Sequence, residues 1–137
     1  MNTGTDYVAI LASLEGYANW IAAHHPDPAL TSAIVAPGTK MYDLYIRDYT
    51  RLRDNDKRGI EELGGPSKYT ILSTTPDAFS AKVVEDILVH KTVVASGRVL
   101  QETRFTGPTT YLDLVVLVHG HWRFAAIDVQ QRVNVHL

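Results

Sequence analysis

The sequence predicts an α+β domain: three helices in the N-terminal part, packed on one curved antiparallel sheet of four to five strands. Two observations carry this expectation. Apolar residues recur every three or four positions up to Leu52, then alternate or cluster in short β-rich blocks from Tyr69 onward. The blocks are separated by turn-forming pairs, a spacing that suits successive antiparallel strands. Size sets the frame. A chain of 137 residues, 45% of them hydrophobic, suits one domain spanning 1–137 with a core of its own.

Tyr7, Ile10, Leu11, Leu14, Tyr17, Ala18 and Ile21 mark one face of the first helix. Thr5 or Asp6 can cap its start, and Pro26 stops it, because proline removes a donor and clashes inside a helix. Asp27-Pro28 then has the form of an N-cap with proline at the first helical position, opening a short helix through Val35. Pro37-Gly38 ends that segment, and Thr39 can cap a third helix from Lys40 to Asp54. A loop is expected from Gly59 to Pro66. Strands follow at Tyr69–Ser73, Phe79–Val94, Arg98–Phe105, Tyr111–Val118 and Trp122–Val135. Thr75-Pro76-Asp77, Ser96-Gly97, Gly107-Pro108 and His119-Gly120 supply the turns.

Composition excludes several function classes. Thirteen basic against fifteen acidic residues give a net charge of -2, so no global field favours nucleic acid or acidic lipid. The basic group Arg47, Arg51, Arg53, Lys57 and Arg58 is interrupted by Asp48, Asp54 and Asp56, the pattern of a solvated helix end. With no cysteine, a disulfide framework, a thiolate zinc site and a catalytic thiol are excluded. The longest clean apolar stretch, Leu114–Val118, has strand length and falls far short of a bilayer span. The opening residues lack the basic and apolar regions of a signal peptide, so a cytoplasmic protein without membrane contact is expected. The six histidines show no H-E-x-x-H spacing, and a turn at Gly120 would separate the rings of His119 and His121. Neither a metal nor a cofactor is expected, and the chain carries no G-x-G-x-x-G, Walker A or G-x-S-x-G sequence.

Two places carry acids where apolar side chains are expected. At about 100° per residue, Asp48 falls within the arc of Met41, Leu44, Tyr45, Tyr49 and Leu52 on the third helix. An inward carboxylate needs a partner or a function. It is either a general acid or base with Tyr45 or Tyr49 as donor, or a boundary residue paired with Arg47, Arg51 or a neighbouring strand. In the last hairpin, a two-residue turn at His119-Gly120 with unbroken alternation puts Tyr111, Asp113, Val115 and Leu117 on the face of Trp122, Phe124, Ala126 and Asp128. Asp113 and Asp128 would then lie diagonally on an apolar surface, within reach of Tyr111. An odd loop length would send one of them to the opposite face.

The element order, a long helix, a short one, a third, and a meander ending in the aromatic strand Trp122-Arg123-Phe124, resembles the NTF2-like, or cystatin-like, α+β barrel superfamily. That group includes ketosteroid isomerases and SnoaL-like polyketide cyclases. Pro37-Gly38-Thr39 leaves no room for the small hairpin usual between the second and third helices of the family. The resemblance implies a cone-shaped pocket. In ketosteroid isomerases a carboxylate base works with a Tyr and a protonated Asp. Tyr17 and Asp113 are loosely similar in element placement, but no local motif transfers those roles.

Two functions are open at this point. The first is a cofactor-independent isomerase, cyclase or dehydratase acting beside a carbonyl, with Asp48, Asp113 or Asp128 as acid or base and Tyr17, Tyr45 or Tyr111 as oxyanion donor. The second is a non-catalytic binding or assembly module. Leu112, Leu114, Val116 and Val118 oppose Val115 and Leu117, so both sheet faces call for cover, one by helices and one by a second subunit. A homodimer through the sheet is therefore expected, with the alternating segment Val129–Val135 available to pack across it.

Overall fold

The computed structural model describes residues 5–105, 107–131 and 134–136; side chains are described except at 88, 131 and 134–136. Helix α1 spans Tyr7–His24, and its cap is Asp6, whose carboxylate accepts from the Ala9 amide at 3.0 Å. Asp27 caps the next segment in the same way, at 2.9 Å to Ala29, but Pro28–Ala33 winds as a 3-10 helix. Helix α2 spans Lys40–Asp54 with Thr39 as its cap. The Thr39 hydroxyl accepts from Tyr42 N at 3.1 Å and donates to Ala36 O at 2.9 Å, so one side chain ties the helix to the preceding loop.

The sheet has more pieces than expected. A strand, β1 (Lys57–Leu63), follows α2 with only residues 55 and 56 between, where a loop was anticipated from Gly59. Asp56, at φ 54°, turns the chain into it. Gly59 and Glu61-Glu62 give this stretch weak intrinsic β preference, and pairing with β4 (Ile87–Val94) overrides it. The remaining strands are β2 (Lys68–Thr74), β3 (Ala78–Glu85), β5 (Val99–Phe105), β6 (Thr109–Val118), β7 (His121–Gln131) and β8 (Asn134–His136).

Among the described residues these form two antiparallel four-stranded sheets, β1-β4-β5-β8 and β2-β3-β6-β7. The two are halves of one meander. The register of β1 on β4 continues into that of β2 on β3, and β5–β6 follows β4–β3 likewise. The 79–94 run is thus broken at Asp86, where the Asp86 carbonyl accepts from Gly64 N at 2.7 Å across the bend. The expected curved sheet is present as four long strands, each interrupted once along a common crease.

Helices and sheet enclose a core of Leu11, Leu14, Ile21, Ile34, Val35, Met41, Tyr49, Phe79, Ala81, Val115 and Phe124. The extended segment 34–36 docks on β7: the Phe124 amide donates to Ile34 O and its carbonyl accepts from Ala36 N, both at 2.8 Å. Beside it the β7 ladder departs from simple alternation. Val115 faces Phe124 but Leu114 faces Ala126, so Ala125 is an extra residue in a β-bulge. The His119-Gly120 turn itself is as anticipated, with both residues at positive φ (50° and 81°), the pattern of a type I′ hairpin. The closing segment expected to pack across a dimer falls partly outside the described residues, at 132–133. Among the described residues no helix is long and apolar enough to cross a membrane.

Candidate functional site

A cavity of about 510 Å³ lies between the helices and the concave sheet, a size suited to a small molecule. Its apolar wall comes from Met41 and Leu44 of α2 and from Phe124 to Ile127 of β7, where the bulge opens the strand. Its polar residues are mostly acids. Glu15 stands on α1, Glu61 on β1, Glu85 at the end of β3, and Asp113 on β6. Tyr45 and Tyr111 face the same space, and the exposed residues Lys40, Leu44 and Asp128 mark its mouth.

Local periodicity explains each position. Phe79, Ala81 and Val83 are the inward residues of β3, and two further steps along the strand put Glu85 on the same face. Asp113 precedes the inward Val115 by two and faces Ile127 across the ladder. Glu15 follows Leu11 by one helical turn and precedes Ala18 by three, at the edge of the buried stripe.

Burial makes these acids poor ions. Asp113 is only 4% exposed, and its Oδ1 has no hydrogen-bond partner. Desolvation, with the Glu15 carboxyl as a second cause, pushes it up to about 7. Glu85 is pushed up to about 8 by burial and then by Glu15, Glu61 and Asp113. Glu15 also moves up through burial, opposed by hydrogen bonds with Tyr69 and Glu85, and its Oε1 is buried without a partner. A hydrogen bond between Glu15 and Glu85 requires a proton on one of them, because two carboxylates hold only acceptors. The Tyr45 hydroxyl is held above the usual phenol range by burial, and then by Glu61 and Asp113. It therefore stays a donor.

The candidate residues separate. Asp113, Tyr45 and Tyr111 come together in the cavity. Asp128 reaches the mouth, but the bulge at Ala125 places it opposite Leu112, on the other face from Asp113; the shared-face expectation assumed an unbroken ladder. Asp48 lies outside this cavity, on a neighbouring hollow of about 270 Å³ that also touches Tyr45 and His90. There it pairs with Arg51 at 3.3 Å, the boundary alternative for this residue. Tyr17 does not line the cavity: it is 38% exposed and stacked on Trp20 at 6.0 Å, because it sits at the rim of the helical stripe. Glu15 and Glu85 were not anticipated. The alternation of β3 could have revealed Glu85, whereas Glu15 reads as an ordinary boundary residue. Among the described residues no group of three or more His, Asp or Glu is arranged to hold a metal ion.

Comparison with known proteins places the fold. No protein-family model matches the sequence, and no curated protein matches it. Solved structures do. The intermembrane space region of the chloroplast protein ARC6 superposes with a TM-score of 0.63 at 7% identity, covering 90% of this chain and 92% of that one. A protein provisionally named scytalone dehydratase, from Novosphingobium aromaticivorans, gives 0.63 at 13% identity, covering 96% and 87%. A cystatin-like protein of unknown function from Nostoc punctiforme gives 0.51 at 10% identity, covering 89% and 88%. The chain has the NTF2-like, or cystatin-like, α+β fold. At these identities the likeness is one of fold alone.

Proposed function

We propose that the cavity binds a small carbonyl compound with an apolar body and promotes proton transfer beside its carbonyl, without a cofactor, as an isomerase, cyclase or dehydratase does. The observation that carries this reading is Asp113, a buried carboxyl with a free oxygen in a cavity of ligand size. Held near 7, it can exchange a proton with carbon-bound hydrogen close to neutral pH. Tyr45 and Tyr111 would donate to the developing oxyanion. The dehydratase name of one structural neighbour supports the same class of chemistry.

The test is deuterium exchange beside the carbonyl of a panel of cyclic ketones, followed by NMR in heavy water. The native protein accelerates exchange, with activity rising through about pH 7 as Asp113 ionises. Asp113→Asn lowers the rate by about 10²–10⁴-fold. An unchanged rate in that variant would remove the proposed role.

A second, compatible reading is a homodimer through the outer face of the sheet. Leu112 and Leu114, 38% and 41% exposed, stand side by side on β6 away from the cavity. Sedimentation should then show a dimer that Leu114→Asp converts to monomer. A monomeric native protein would end this reading and leave the first untouched.

A further inference from the structure

The cavity described above is richer in hydrogen-bond acceptors than any neutral carbonyl compound needs. Glu15 Oε1 and Asp113 Oδ1 are both buried without a donor, and they come from opposite walls, α1 and β6. Asp113 is itself more than nine-tenths buried and lines the open space. The titratable groups around them are Glu61 from β1, Tyr69 from β2 and Glu85 from β3, with Lys40 and Tyr45 from α2 and Tyr111 and Asp128 from β6 and β7. Among the described residues lining the cavity, Lys40 is the only basic one. No ion pair among the described residues joins it to these acids.

Without a countercharge, a cavity of this kind keeps its acids partly protonated, because neighbouring carboxylates repel and desolvation penalises each charge. A ligand that brings a positive charge and several N–H donors reverses both penalties at once. The apolar wall of Met41, Leu44, Phe124 and Ile127 faces the rest of such a ligand. We infer that the natural ligand is an organic ammonium, a protonated amine on an apolar body, whose charge sits among Glu15, Glu85 and Asp113. This rests on the cavity being a small-molecule site, and it narrows the carbonyl substrate to one that also carries a basic nitrogen. Binding displaces protons from the acids. The amine therefore binds more tightly as pH rises from 6 to 8 (on the order of the range over which the acids ionise).

Two probes of matched size separate charge from shape: phenethylamine, protonated throughout this range, and the neutral 2-phenylethanol. Their affinities are measured by NMR titration of the full chain at about pH 8 and low salt, and proton release by calorimetry in two buffers of different ionisation enthalpy. Phenethylamine is expected to bind about tenfold or more tightly than the alcohol, with net proton release. The double variant Glu15→Gln, Glu85→Gln, which keeps shape while removing mutually repelling charge, should lose about tenfold for the amine and leave the alcohol unchanged. Circular dichroism confirms its fold, and Asp113→Asn gives an independent second variant with the same expected loss. Equal affinities, or a double variant that keeps the amine preference, overturn the inference. If the alcohol or a cyclic ketone perturbs cavity residues and the amine does not, the ammonium falls and the small-molecule site stands. If none of the three perturbs them, both fall.

Discussion

The same three elements build two opposite environments within a few residues. At the closed end, α1 contributes Leu11 and Leu14, β3 contributes Phe79 and Ala81, and β6 contributes Val115, all buried together. At the open end, α1 contributes Glu15, β3 Glu85 and β6 Asp113, around a cavity. Each element thus carries a buried apolar residue and, one step along the same inward face, an acid: Leu11 before Glu15, Val83 before Glu85 and Val115 after Asp113. Close packing removes water and holds the architecture. The acid end gives up part of that stability, since buried like charges without cations oppose folding, and in exchange presents groups that titrate near neutrality. A site of this kind is destabilised on its own scale and tolerated because the closed end is well packed.

Perturbing the closed end should cost most. Phe79 packs edge to face on Trp122 at 5.3 Å and tilted on Tyr7 at 4.8 Å, so Phe79→Ala is expected to lose about 3–5 kcal/mol in denaturant unfolding. At the open end the sign reverses. Glu85 and Asp113 hold protons in the folded protein at pH values where the unfolded chain has released them. Stability from this source is complete below the ordinary values of 4.5 and 3.8. It declines as pH rises toward about 8 and about 7. Glu85→Gln should therefore be more stable than the native protein by about 1–3 kcal/mol above pH 8, with a flatter profile of melting temperature against pH. A native profile that is flat between 5 and 8 (about the window in question) would show that the acids are hydrated in the folded state. Away from both ends the effects shrink. Thr39→Ala removes the α2 cap and should lose about 1 kcal/mol. Asp48→Ala breaks an exposed pair with Arg51 and should lose about 0.5 kcal/mol or less without changing ligand affinity, which checks that the site lies elsewhere.

Local chemistry was the legible part of the chain. Asp6, Asp27 and Thr39 announce helix starts because a short acceptor side chain followed by amide donors is a local motif, and all three act as caps. The I′ turn at His119-Gly120 and the inward alternation of Tyr111 and Asp113 were readable for the same reason. What failed to show was decided at a distance. Strand β1 exists because β4 offers it a partner, although its own Gly59, Glu61 and Glu62 argue against it. Glu15 becomes a cavity residue only because β3 and β6 bring Glu85 and Asp113 opposite it. For Asp48 a helical wheel gives angles but not which arc the neighbouring elements cover, so it left two alternatives open; the ion pair with Arg51 is the boundary one.

The extra residue at Ala125 changes how the last long strand is to be read. Upstream of it the even-numbered Trp122 and Phe124 share the face of Leu117 and Val115; downstream the odd-numbered Ile127 shares the face of Asp113. Parity is thus a punctuated code in which one supernumerary position exchanges the two sets of letters. The same residues paired without the bulge would bring Ala126 and Asp128 to the face that Ile127 now shares with Asp113, recasting the charge of the chamber with no change of sequence. Register, in this strand, is a more powerful variable than identity.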